Sequence, residues 1–305
     1  MEKSEVCMNS KEELVTQNMQ DCWSILYKNL TKTFLYRHGK SGETVIRSAL
    51  HLCGVKLGSL EQDAKRKAQT ASNLESLFLS PSVLCADPRF RIQWQILGEE
   101  EAVFDVLTCP VYDRLAETGD QTLMLPLCEE FHQGVISGYT EDAGQCCLSE
   151  NFIYSEENSC RLGCYFRAAN IPAKKRAACF TGSFRERKHS LPKQLPVCLN
   201  PRRSFSAWAS ALVTSYLEES EKKYGHEALC TISEGLRNAA SETAAFLIRR
   251  AFCTGHKSDE EFLSENTFWY ETEDLSGLAD RDKKLILLNY ICTLKKVTET
   301  SVPQK

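Results

Sequence analysis

Nothing in these 305 residues approaches the run of about 18 apolar residues that a membrane-spanning helix needs. A charge excess is missing as well. Lys+Arg 37 against Asp+Glu 41 leaves a formal net charge of -4, not the strong basic surplus of a nucleic-acid binder. The one basic stretch, Lys174 to Lys193, is short, has no regularly interleaved aromatics and sits among Pro and Ser. It reads as a solvated linker. The opening Met1-Glu-Lys-Ser-Glu has no apolar core of a secretory signal. There is no Walker loop, dinucleotide-binding glycine fingerprint, GxSxG elbow or HExxH helix. The CxxC and CxxH spacings of common zinc modules are absent too, and Cys160 and Cys164, spaced like some zinc ligand pairs, have no second pair to complete a site. The expectation is a cytoplasmic protein with no metal, no cofactor, no nucleic-acid partner and no membrane partner.

Cysteine, by contrast, is plentiful: 15 residues, an odd number, behind a start with no signal. That combination points to a reducing compartment with most thiols free. The cysteines concentrate between Cys109 and Phe166, where seven Cys or His side chains fall: Cys109, Cys128, His132, Cys146, Cys147, Cys160 and Cys164. Thiolate and imidazole are the groups best suited to nucleophilic catalysis or to soft-metal binding.

Periodicity sets the frame around them. Residues 11 to 38 are helical in pattern and break at Arg37-His38-Gly39-Lys40-Ser41-Gly42. A second helix places Val45, Ile46, Ala49, Leu50, Cys53, Leu57 and Leu60 on one side, the spacing of a buried stripe. Gly54 and Gly58 within it signal a tight crossing, because glycine is costly in a helix unless something approaches closely. A third helix is expected from the low 60s to Leu79, before Pro81. Phe90, Ile92, Trp94 and Ile96 then alternate with polar residues as a half-buried strand does, and a second strand runs from Ala102 to Leu107. Pro110 opens a short helix and Pro126 a longer one to about Tyr139. Strands at about Cys147–Tyr154 and Cys160–Arg167 complete the set.

The fold class is therefore α+β: N-terminal helices packed on a small four-stranded antiparallel sheet, followed by an all-helical region. The units expected are an α+β domain at 12–168, a linker or irregular crossover at 169–205 and a helical region at 206–298. The last holds helices Ser206–Glu221, Glu227–Phe252, Asp259–Tyr270 and Asp280–Lys296. A faint repeat links the two ends: Tyr36 to Glu43 followed by Ile46 to Leu50 resembles Lys223 to Glu227 followed by Ile232 to Leu236. His38 and His226 occupy equivalent turns and read as capping residues. The second copy lacks the cysteine-rich sheet, so a site belongs to the first.

Within that first copy, Cys128 and His132 lie one helical turn apart on an inward face continued by Val135, Ile136 and Tyr139. They can form a thiolate–imidazole couple or supply two ligands; a small buried cysteine beside a core histidine is the bland alternative. Strand alternation puts Cys160, Leu162, Cys164 and Phe166 on the core face, where thiols also serve as plain packing. Cys109 ends the second strand, with Asp105 and Asp113 close in sequence, either ordinary surface carboxylates or partners for a cationic group. Cys146, Cys147, Cys179, Cys198 and the isolated Cys7, Cys22, Cys53, Cys85, Cys230, Cys253 and Cys292 show no shared geometry.

These elements in this order resemble the L-2-amino-thiazoline-4-carboxylic acid hydrolase family over roughly residues 20 to 168. The likeness rests on the Gly42-Glu43 helix start with Ile46 and Leu50, the strand into Cys109-Pro110-Val-Tyr-Asp113, the Leu127-Cys128 helix and the Gly163-Cys164-Tyr-Phe166 ending. The same plan is similar to the 4-vinyl reductase ligand-binding domain. The extra thiol at Cys160 and the C-terminal helices lie outside the resemblance. It implies hydrolytic opening of a cyclic isothiourea to a carbamoyl-cysteine. That chemistry requires an activated nucleophile, a proton donor and a carboxylate anchor. The implied roles are Cys128 or Cys164 as nucleophile, His132 as acid/base, Cys109 with Asp105 or Asp113 at the substrate, and Arg47 on the carboxylate, which its planar fork suits. Two other classes stay open. One is a small-molecule or metal-sensing module in which Cys109, Cys128, His132 and Cys164 bind without turnover. The other is a helical interaction protein forming a homodimer.

Overall fold

The computed structural model describes residues 11–84, 87–153, 159–180, 200–269 and 281–301, with Leu191 and Pro196. The expectations that touch Cys7, Cys85, Tyr154, Cys198, Tyr270 and Asp280 lie outside these residues, as does the basic stretch beyond residue 180.

A single long helix, α1 (Lys11–Lys67), runs through both of the first two expected helices. The break predicted at Gly39 is a kink: Gly39 takes φ 54° and ψ -133°, a left-handed conformation natural only to glycine. The expected stripe Val45, Ile46, Ala49, Leu50, Cys53 and Leu57 is buried, but Leu60 at its end is 46% exposed. The third helix also differs. α1 continues to Lys67, and a separate short helix, α2 (Leu74–Leu79), starts at Asn73, whose side chain accepts from Ser76 N–H in a capping box.

Four strands follow: β1 (Arg91–Leu97), β2 (Glu101–Thr108), β3 (Gly144–Glu150) and β4 (Cys160–Phe166). They form one antiparallel sheet in the order β1-β2-β4-β3. Ile96, expected on the buried face, is 45% exposed because the β1–β2 register shifts between Trp94 and Ile96. A bulge of this kind turns the side chain after it to the other face. β3 begins three residues earlier than the pattern suggested. The inward ladder reads across the strands as Ile92–Val106–Cys160, then Trp94–Phe104–Leu162–Leu148, then Ala102–Cys164–Cys146.

Between the two hairpins lie α3 (Pro110–Ala116), α4 (Met124–Pro126) and α5 (His132–Thr140), the last two joined by a π turn at Leu127–Phe131. α5 crosses the second half of α1 so closely that neither can carry side chains at the contact. A Cβ on Gly54 would stand 2.3 Å from the Phe131 carbonyl oxygen, and one on Gly58 2.1 Å from that of Val135. The predicted tight crossing is present, and Gly134 and Gly138 mirror it from α5.

The segment read as a linker contains a short helix, α6 (Ala173–Cys179). Helices α7 (Pro201–Tyr224), α8 (Glu227–Cys253), α9 (Glu260–Asn266) and α10 (Arg281–Ser301) follow. They share one hydrophobic core with the first half, continuous from Met19 to Leu294. The repeat has a structural counterpart at the α7–α8 elbow, where Gly225 takes φ 56° and ψ -135°, nearly the Gly39 conformation. The two elbows pack together: the His38 ring stacks on Tyr224 at 4.0 Å and its Nε2 lies 3.0 Å from Thr231 Oγ1, while Tyr224 OH meets Ser41 Oγ at 2.8 Å. His38 is thus a tether between the copies rather than a cap, and His226 sits at the α8 N-cap without a side-chain capping bond.

Candidate functional site

The sheet's inward face, the α1–α5 pair, α7, the chain around residues 77–84 and Pro196 line a half-open cavity of ≈ 200 Å³. Why the sequence leaves a space there follows from its geometry. The glycine crossing fixes how near α5 can lie to α1, and the π turn at Leu127–Phe131 widens the helix just where it faces the sheet. A π turn inserts a residue that the surrounding helix does not need, and such turns are frequent at functional sites. Cys128 lies inside this turn and His132 directly follows it.

Four of the residues picked out by pattern, Cys109, Cys128, His132 and Cys164, line this one cavity. Two more thiols join them: Cys160, and Cys146, which sequence reasoning set aside. The signal for Cys146 was the strand start. With β3 beginning at Gly144, period-2 alternation places Cys146 and Leu148 on the inward face, and Cys146 falls opposite Cys164. Trp23, Gln20 and Trp208 were also missed. Trp208 belongs to α7, far along the chain, and no local pattern reports such a contact. It packs edge-on against Trp23 with ring centroids 5.7 Å apart and lies 5.8 Å from Phe131, so three aromatic rings from three elements form one wall. Its indole N–H donates to the Val83 carbonyl at 3.2 Å and holds the 80–84 segment over the cavity.

The remaining candidates lie elsewhere. Asp105 points to the outer face of the sheet, where Arg161 Nε donates to it at 2.7 Å and Gln95 at 2.9 Å. The Arg161 bond holds its carboxyl below the usual carboxylate range. Asp113 is exposed on α3. Arg47 is committed to Glu129 at 2.6 Å, Glu130 at 3.2 Å and Glu43 at 3.4 Å on the outer side of α1. None of the three lines the cavity.

The electrostatics of the cavity are those of an apolar container. Burial pushes the Cys109 thiol up to about 12 and the Cys160 thiol up to about 11. Burial raises Cys128 well above its ordinary value, and the neighbouring Cys109 and Cys160 raise it further. Cys164 is raised by the S–H it donates to Cys146 Sγ at 3.6 Å and by burial. Burial lowers His132 to about 4, so its ring is neutral near pH 7. No hydrogen bond among the described residues engages that ring. Thiol activation would require the reverse: a cationic imidazole beside a thiol with a depressed pKa. Among the described residues there is also no group of three or more His, Cys, Asp or Glu side chains placed to hold a metal ion.

Besides His132, two polar side chains of the wall have unpartnered atoms. Gln20 Nε2 and Trp23 Nε1 are buried and make no hydrogen bond, although each residue is only 1% exposed and lines the cavity. Leaving a buried donor unpaired costs about 1–3 kcal/mol. Both are N–H donors, so what they lack is an acceptor.

No family model, curated protein or solved structure matches this chain. No helix among the described residues is long and apolar enough to cross a membrane.

Proposed function

We propose that the protein is a non-covalent binding module for a small, neutral, largely apolar molecule bearing a hydrogen-bond acceptor such as a carbonyl oxygen. The observation that carries this reading is the cavity wall. Among the described residues, aromatic and aliphatic side chains, protonated thiols and the neutral His132 ring line the space, no Lys, Arg, Asp or Glu does, and the lining residues Gln20 and Trp23 each carry a buried N–H donor without a partner. Pockets of this composition, mostly apolar with a few placed polar groups, are what small-ligand sites look like. A charged ligand would lose its hydration there with no counter-charge among the described lining residues to offset the loss.

The hydrolytic role that the thiazoline-hydrolase resemblance implies has less support from this geometry. It calls for an activated thiolate, an amidinium partner and a carboxylate anchor in one place. Here the thiols are raised, Asp105 is turned outward and Arg47 is paired with three glutamates. The binding role implied by the likeness to the 4-vinyl reductase domain suits the same cavity better.

A titration tests the proposal. 2-Acetylnaphthalene should quench tryptophan emission saturably, because Trp23 and Trp208 form the wall, and should bind about tenfold more tightly than 2-ethylnaphthalene, the increment of one well-made hydrogen bond. Equal affinities would remove the acceptor from the proposal, and no saturable binding of either compound would remove the cavity.

A further inference from the structure

Cys146 and Cys164 occupy directly opposite positions on the edge strand β3 and its neighbour β4. Antiparallel pairs are of two kinds, and the backbone shows which kind this is. Cys146 N–H donates outward, to Gln133 Oε1 at 2.7 Å, and so is not directed at β4. On β4, Phe166 N–H donates to Glu100 O at 2.8 Å, toward β2. Cys164, two residues away on the same strand, shares that direction, since N–H groups alternate along a strand. Neither cysteine bonds its opposite through the main chain. This is a non-hydrogen-bonded pair, the kind in which opposite Cα atoms approach to about 4.5 Å and side chains come closest.

That spacing is within the Cα range of disulfides, about 4.4–6.8 Å. The two sulfurs already lie 3.6 Å apart, both on the inward face. Bond formation would close that gap to about 2.05 Å. We infer that Cys146 and Cys164 form a reversible cross-strand disulfide in the cavity wall, with a low-molecular-weight disulfide as oxidant. The pairing rests on strand register and sulfur distance, not on what the cavity holds.

The chemistry balances as two exchanges. Cys146, the half-buried member, loses its proton and attacks one sulfur of the small disulfide, forming a mixed disulfide and releasing one small thiolate. The Cys164 sulfur then loses its proton and attacks Cys146 Sγ, and the second small thiolate leaves. Both thiolates take up the two protons. The protein dithiol is oxidised by two electrons and the small disulfide is reduced to two thiols.

No other pairing on the sheet competes. Cys147 faces the opposite side, across from Gly163. Cys160 shares a strand with Cys164, four residues away, or about 13 Å at the strand rise.

The test uses the full native chain, treated with 2-hydroxyethyl disulfide, alkylated under denaturing conditions, digested and mapped by mass spectrometry. The expected product is one peptide pair joined through Cys146 and Cys164, released by dithiothreitol and absent from Cys146→Ser and Cys164→Ser. Three results overturn the inference. One is a bond from either cysteine to Cys109, Cys128, Cys147 or Cys160. Another is Cys146 retained as the mixed disulfide, which would mean that Cys164 cannot reach it. The third is both thiols unreacted under conditions that modify the exposed Cys230 and Cys253. The wild-type map decides the matter even if a serine variant folds poorly.

Discussion

Gly54 and Gly134 meet backbone to backbone: a Cβ built on Gly134 would lie 3.1 Å from Gly54 Cα and 2.2 Å from the His51 carbonyl oxygen. Every close atom is main chain, so neither helix can yield by rotating a side chain. This contact fixes the distance between α1 and α5, and with it the depth of the space that α5 leaves above the sheet.

Gly54→Ala or Gly134→Ala should therefore cost stability despite the better helix propensity of alanine. The expected loss is about 3 kcal/mol, the upper part of the range for overpacked cores, and more for Gly58→Val. Urea denaturation checks it. A neutral or stabilising Gly54→Ala would mean that the helices are free to separate.

Glu61 offers a second structural test. Its side chain is fully buried, and its carboxylate accepts the backbone N–H groups of Ser82 at 2.8 Å, Val83 at 2.6 Å and Leu84 at 3.2 Å. Lys65, 3.4 Å away, reaches back to the Ser80 carbonyl. The pair pins the segment that carries Pro81 and Leu84 of the cavity wall. Glu61→Ala leaves a buried cation without its counter-charge and three N–H groups unpaired, a loss of about 3–5 kcal/mol by analogy with broken buried pairs. Amide hydrogen exchange should rise first at residues 80–84, and uniform exchange across the protein would contradict the pinning role.

His132 sets a pH dependence. Its ring titrates near 6.5 when unfolded and near 4 when folded. Between those values the unfolded chain binds the proton more readily, so stability falls as pH drops from about 6.5 toward 4 and has no further contribution below. The shift corresponds to up to about 3 kcal/mol. His132→Gln should flatten the profile in that window relative to wild type. Parallel profiles for the two proteins would show that the ring is not buried as a neutral group.

The hydrolytic alternative has its own assay. Incubated with 2-amino-thiazoline-4-carboxylate, the protein should yield no carbamoyl-cysteine above the uncatalysed level, because its thiols are protonated and Arg47 is occupied. Product formed by wild type and lost in Cys128→Ala would favour the enzyme.

Local periodicity carried the parts of this fold that depend on one element facing one neighbour. The Gly54/Gly58 crossing, the inward set Cys160, Leu162, Cys164 and Phe166, and the coming together of Cys109, Cys128, His132 and Cys164 at one cavity all follow from helix or strand repeats. What escaped was set by longer range or by irregularity. Trp208 reaches the cavity from a distant helix, Ile96 is turned outward by a register shift, and Cys146 was hidden by misjudging a strand start by three residues. Arg47 is a candidate by its chemistry, and Asp105 and Asp113 by chemistry and nearness to Cys109 in sequence, but charged groups near a cavity in sequence have every electrostatic reason to turn away from it.

Cys128 gives the most direct measurement, because it lines the cavity and serves both readings of it. Isothermal titration of 2-acetylnaphthalene into Cys128→Ala and Cys128→Phe, each checked for a cooperative thermal transition, separates space from chemistry. The account predicts that the alanine variant binds at least as well as wild type, since no thiol is needed, and that the phenyl group abolishes binding by filling the cavity. Unchanged affinity in Cys128→Phe, or loss of binding in Cys128→Ala, would contradict it.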